Sequence, residues 1–223
     1  MKTTLPVLIR LADLGVDPLI PAWHARHVRF CNLSAVVAGL FSLAFLALEL
    51  PLILDWGVWE TQPVLLALVR SLAVLPFALP LFLNLRGCHT AARLALIIWS
   101  LIFVVGLALL YAHQAPTQLF LLPLVAAVLA MFPWRENRRM WWLVMLCLLG
   151  LAGILVIRAL HQPLVPVQSE WVLTLMDEFL TAGGVFLTLI VSFVLRTTTE
   201  RAERQALREQ ERADRLLLNI LPA

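Results

Sequence analysis

Trp141-Trp-Leu-Val-Met-Leu-Cys-Leu-Leu-Gly-Leu-Ala-Gly-Ile-Leu-Val-Ile-Arg-Ala-Leu160 carries one charge in twenty residues, and it decides the class of fold. A helix of that length rises about 30 Å, the thickness of a bilayer's hydrocarbon core. Five more apolar segments stand in the same chain: 30–50, 63–85, 94–112, 117–132 and 171–195. Hydrophobic residues make up 61% of the 223 and charged residues 14%, a balance that excludes a soluble domain of this size. The expected fold is therefore all-α: an integral membrane six-helix bundle over residues 30–195. An N-terminal segment, 1–29, precedes it and a charged helix, 196–223, follows it. The net charge of +3 gives no reason to expect a nucleic-acid partner, because the lipid bilayer sets where the charges lie.

Arginine placement predicts the orientation. Lys2, Arg10, Arg26 and Arg29 precede the first segment, and Arg86 and Arg93 separate the second from the third. Arg135, Arg138 and Arg139 separate the fourth from the fifth, and the tail is arginine-rich. The alternate loops, 55–62, 113–116 and 161–170, hold no Lys or Arg. The positive-inside rule then puts both termini in the cytoplasm of a bacterial-type inner membrane. Trp23, Trp134, Trp141 and Trp142 at one set of span ends, and Trp56, Trp59 and Trp171 at the other, form the matching aromatic belts.

Before the first span, Val7, Leu8, Leu11 and Leu14 share a helical face opposite Arg10, Asp13 and Asp17, with Gly15 as a stop. That pattern predicts a short amphipathic helix on the inner leaflet. Pro76 and Pro80 are expected to kink the second span and Pro123 the fourth. Gly150 and Gly153 in the fifth span, and Gly183 and Gly184 in the sixth, permit close helix contact, chiefly within the bundle. The three cysteines, Cys31, Cys88 and Cys147, lie within or at the cytoplasmic ends of the spans and do not read as a disulfide framework.

No nucleotide-binding glycine loop, paired catalytic carboxylates or nucleophile beside a base is visible, so these residues carry no catalytic site and call for no cofactor. The unusual side chains are the ionisable ones inside the spans: Glu49, Arg70, Arg158, Asp177 and Glu178. Charges at membrane depth are costly and usually face a bundle interior or a polar cavity. All five fall in the expected outer half, with Arg70 about 10 Å below the boundary at 1.5 Å per residue. Two bases facing three acids leave one acid without a basic partner. Two readings follow. The charges hold helix register as ion pairs, or they line a ligand-binding cavity that admits a small amphipathic or lipid-like ligand. Histidines at the span rims do not suit bis-histidine haem. A metal held by His113, His161 and the acidic pair would be chemically reasonable, but no ligand spacing supports it.

The tail runs RTTTERAERQALREQERADRLLLNILPA from Arg196 to Ala223. Its Glu, Arg, Gln and Ala are good helix formers, and Glu200–Arg204 and Glu211–Arg215 are i,i+4 pairs in the favourable order. With Thr199, Ala206, Ala213 and Ile220 at position a, the d positions are Ala202, Glu209 and Leu216. This coiled-coil-like seam is weak, so the spans are expected to contribute to a homodimer.

The last turn, Leu216-Leu217-Leu218-Asn219-Ile220-Leu221-Pro222, resembles the transducer element that precedes the catalytic domain of membrane-bound class III adenylate cyclases. The resemblance implies that residues 196–223 pass a signal to an output domain that makes cyclic AMP from ATP at a dimer interface. A divalent metal is expected only in that domain, which would begin where this sequence ends. A second likeness lies in the Gly15-Val-Asp17-Pro turn, the basic run from His24 and Asn32. These resemble the six-span sensor domains of bacterial quorum-sensing histidine kinases and support a receptor class. A free-standing transporter-like protein is the third reading, and it has no use for the stalk.

Overall fold

In the computed structural model, the residues described are 10–17, 21–55, 72–132, 136–163, 171 and 173–193. Among them the chain is all-helical, with no strand. We number the helices α1 (Ala22–Asp55), α2 (Leu72–Leu85), α3 (His89–Tyr111), α4 (Leu121–Met131), α5 (Asn137–Leu160) and α6 (Leu173–Phe193). Four of these segments are long and apolar enough to cross a membrane: His24–Ala47, His89–Gln114, Asn137–Leu160 and Leu173–Phe193. Leu72–Leu85 and Thr117–Met131 are shorter apolar helices.

Proline chemistry shapes both short ones. In α2 the backbone tightens to a 3-10 turn over Leu75–Ala78 with Pro76 in its first turn, then returns to α-helix at Leu79–Leu85 with Pro80 in the first turn. Pro76 has no N–H to give, and the Ala73 carbonyl three residues earlier accepts Trp99 Nε1–H from α3 at 3.0 Å instead. In the fourth segment Pro123 sits next to a change of helix type. A 3-10 turn, Thr117–Phe120, leads into α4, so Pro123 falls in the first turn, where its missing N–H breaks no helical bond.

α3 is the central helix, touching α1, α2, α4 and α5. Its buried side recurs at helical spacing through Leu96, Ile97, Leu101, Val104, Leu107, Ala108 and Tyr111. α6 closes the bundle through its glycines. A Cβ on Gly183 would collide with the Phe41 ring of α1, and one on Gly184 would sit 3.1 Å from Leu119 Cβ. Phe41 then stacks on Phe179 of α6 at 5.2 Å between centroids, and it meets Phe120 at 5.1 Å. In α5 the two small residues part company. Gly150 faces Leu101, while nothing lies within 4 Å of the Gly153 position.

Candidate functional site

The two ends of the bundle are tied by polar contacts, and an apolar cavity lies between them. At the end where α1, α3 and α5 begin, Asn32 and Asn84 are both fully buried. Asn84 Nδ2 donates to Asn32 Oδ1 at 2.7 Å, and Asn84 Oδ1 lies 3.1 Å from His89 Nδ1. Asn32 Nδ2 donates to the Ala12 and Leu14 carbonyls at 3.0 and 2.8 Å. A buried amide left without partners would cost its full desolvation, so this set fixes how three segments meet.

Residues 12–14 of the N-terminal segment are docked on α1 by these bonds. Residues 10–12 are helical, a turn follows, and Gly15 takes φ 72°. A side chain at Gly15 would overlap the Asn84 carbonyl, so the close approach as well as the backbone angle requires glycine. Arg29 Nε and Asp13 Oδ1 close the edge at 2.6 Å. Val7 and Leu8 of the expected amphipathic face lie outside the described residues.

Arg93, only 3% exposed, is the other anchor at this end. Its Nη1 donates to the Met131 carbonyl at 2.8 Å, and its Nη2 reaches Thr90 Oγ1 at 3.2 Å and Glu136 Oε1 at 3.1 Å. Its Nε adds the His89 carbonyl at 3.3 Å. The planar guanidinium therefore binds the start of α3 to the α4–α5 connection, as a lysine would not. His27 Nδ1 lies 3.1 Å from the Ala130 carbonyl and joins α1 to the last turn of α4.

At the opposite end Arg158 does the corresponding work. Its Nη1 bonds Gln118 Oε1 and the Ala115 carbonyl, the latter at 2.8 Å, and Nη2 reaches the His113 carbonyl at 3.4 Å. Arg158 thus holds the α3–α4 connection, in which Ala112 takes φ 45°. Asp177 and Glu178, on α6, are exposed, and neither makes an ion pair or hydrogen bond among the described residues. Glu49 belongs to α1. Arg70 and the transducer run Leu216–Pro222 lie outside the described residues. The structure therefore brings Arg158 to neither Asp177 nor Glu178. No three His, Cys, Asp or Glu side chains converge as metal ligands among the described residues.

The cavity holds about 120 Å³ and takes its walls from α1, α2, α3, α4 and α6. Phe41, Phe77, Phe103 and Phe120 contribute most of the aromatic surface, and Leu187, Ile190 and Val191 bring α6 to it. Arg158, Asp177 and Glu178 do not line it. The polar groups on its wall are three hydroxyls, those of Ser34, Ser42 and Ser100. Ser42 Oγ donates to the Ala38 carbonyl of its own helix at 2.8 Å, while Ser34 and Ser100 make no hydrogen bond among the described residues.

The buried amides had a signal in the sequence, since Asn32 and Asn84 sit within apolar stretches where an unpaired amide is expensive. The serines had none, because a lone hydroxyl in an apolar helix usually bonds its own backbone. Four span-length apolar helices make this a helical membrane protein by length and composition. Comparison with known protein families and with curated proteins finds no match to this chain.

Proposed function

We propose that this chain is the membrane receptor and anchor region of a class III adenylate cyclase. In this reading six spans cross a bacterial-type inner membrane, both termini are cytoplasmic, and the protein is a homodimer. The observation that carries it is the run Leu216–Pro222, which follows a charged helical stretch directly after the last apolar segment. The output domain would follow Ala223, make cyclic AMP from ATP and hold the divalent metal.

The packing of α6 supports the reading. α6 leads in sequence into the charged tail and also forms part of the cavity wall, so one helix connects the interior to the segment that would carry the signal out. We place signal recognition in that cavity. The set Glu49, Arg70, Arg158, Asp177 and Glu178 is less suited, because Arg158 is committed to the α3–α4 connection and the two acids on α6 are exposed. A second reading, a sensor for a histidine kinase, draws on the Gly15 turn and its bond to Asn32, the residues that carry that likeness.

The test uses the full-length protein in a bacterial strain lacking its own cyclase. Cyclic AMP should accumulate, and Asn219→Ala or Pro222→Ala should change basal or regulated output without changing membrane insertion. Absence of cyclic AMP, together with a kinase domain encoded after Ala223, would move the protein to the second reading.

A further inference from the structure

His24, His27 and His89 stand at the end of the bundle where α1 and α3 begin, ahead of the apolar runs that start at 30 and 94. Fixed acceptors decide which nitrogen of two of these rings carries the proton. The Ala12 and Leu14 carbonyls can only accept, so Asn32 Nδ2 gives both its hydrogens to them. Asn32 Oδ1 then accepts from Asn84 Nδ2, which leaves Asn84 Oδ1 as an acceptor. His89 Nδ1, 3.1 Å from that oxygen, must be the donor. The Ala130 carbonyl imposes the same tautomer on His27, whose Nδ1 lies 3.1 Å from it. Each of the two rings therefore takes up a second proton at Nε2.

The charges around the rings oppose that second proton. The His24 ring meets the His89 ring edge-on, with 5.0 Å between centroids. Arg93 of α3 acts on all three histidines, and Arg26 of α1 acts on His27. Glu136, ahead of α5, acts on His24, but it is already bonded to Arg93 and Arg139. α4 carries no charged side chain, and α2 ends at Arg86. The 10–17 segment adds Arg10, Asp13 and Asp17, with Asp13 paired to Arg29. Charging His24 and His89 together would thus set two imidazoliums side by side next to a buried guanidinium, and like charges that close repel.

We infer that this end of the bundle is a proton-operated latch, closed while His24 and His89 are neutral and opened by acid, which drives the starts of α1 and α3 apart. The 10–17 segment bridges the parts that separate. Its Ala12 and Leu14 carbonyls hang on Asn32 of α1, while Gly15 lies against the Asn84 backbone of α2. Opening removes one side of that seat. The closed form resists protonation and the open form takes up protons freely, so closure holds at pH about 7.5 and is lost as the pH falls below about 6.5. In the proposed orientation the latch faces the cytoplasm. It needs no output domain, so its failure leaves the cyclase reading to the cyclic AMP test.

The test is hydrogen exchange of the full chain in lipid nanodiscs between pH about 7.5 and about 5.5, corrected for the intrinsic exchange rate. Protection across 10–17 and the first turns of α1 and α3 should fall by more than about tenfold per pH unit, because each proton taken up on opening contributes about tenfold. His24→Phe keeps a ring against His89 and removes one charge, so the fall should become about tenfold shallower per pH unit. Nitrogen NMR spectra of labelled histidine in the unaltered protein should show His27 and His89 protonated at Nδ1 when the latch is closed. Protection that does not change with pH overturns the inference. So does an unchanged steepness in folded His24→Phe, or a His89 protonated at Nε2 alone.

Discussion

Asn84 gives its side-chain amide to Asn32 Oδ1 at 2.7 Å, and neither residue has any exposed surface. The pair is unequal. Asn32 holds three bonds, one accepted from Asn84 and two given to the Ala12 and Leu14 carbonyls. Asn84 bonds Asn32 and His89 and also meets the Cys31 thiol, but its side chain holds no backbone carbonyl of another segment.

That inequality sets the first prediction. Asn84→Leu should destabilise the bundle by about 1–2 kcal/mol, since it strands one acceptor and one imidazole nitrogen. Asn32→Leu should cost more, because it also strands two backbone carbonyls and releases the 10–17 segment. Thermal unfolding in one detergent compares the two. A larger loss for Asn84→Leu would show that the docked turn contributes nothing.

Two glycines with nearly the same backbone angle separate strain from contact. Gly15 has φ 72° and Gly87 has φ 75°, but only Gly15 has a neighbour where its Cβ would go. Gly87→Ala should cost about 1–2 kcal/mol from the left-handed backbone alone. Gly15→Ala adds a collision with the Asn84 carbonyl, which backbone at both sides cannot relieve. Hydrogen exchange should rise across 10–17 in Gly15→Ala and stay unchanged there in Gly87→Ala. Equal protection in the two variants would sink the docking account.

The all-helical class and the apolar segments were legible because lipid imposes length and hydrophobicity on each crossing. Trp141–Leu160 is the clearest case, and in the structure α5 extends four residues earlier, to Asn137. Tertiary partners were not legible. Arg93 reads in the sequence as one more positive charge in a loop, yet it is buried under four hydrogen bonds. Arg158 reads as a charge near a span end that needs an acid. It takes carbonyls and a glutamine from the α3–α4 connection, partners that no spacing announces. The cavity is illegible for a stronger reason. Phe41, Phe77, Phe103 and Phe120 come from four different helical segments, and a void is a property of how they meet.

Arg93 and Glu136 give the third prediction, because only one of them is deeply buried. Arg93 is 3% exposed and Glu136 24%, at 3.1 Å from each other. Glu136→Ala leaves a buried cation without its counter-ion and should cost about 3 kcal/mol, the low end for a broken buried pair. Arg93→Met removes the buried charge itself, and Glu136 keeps Arg139 at 3.4 Å. It should cost about 1–2 kcal/mol, chiefly from the stranded Met131 carbonyl. Unfolding temperatures in the reverse order would mean that Arg93 is hydrated through a route the packing does not show.

The last prediction concerns how α6 is held. Three glycines on α5 and α6 differ in what a single methyl would meet. At Gly183 it meets the Phe41 ring, which is already fixed between Phe120 and Phe179. At Gly150 it meets the end of the Leu101 side chain, which can rotate away, and at Gly153 it meets nothing within 4 Å. Overpacking a closed contact costs about 1–3 kcal/mol, whereas Gly→Ala in an open helix gains up to about 1 kcal/mol of helix propensity. Gly183→Ala should therefore destabilise, Gly150→Ala should be near neutral, and Gly153→Ala should stabilise. Gly183→Ala should also widen the distance between spin labels on exposed positions Leu43 of α1 and Val185 of α6, with no such change in Gly153→Ala. An unchanged distance with normal stability would show that α1 and α6 are held apart from this contact, and Phe41 would then not link the cavity to α6.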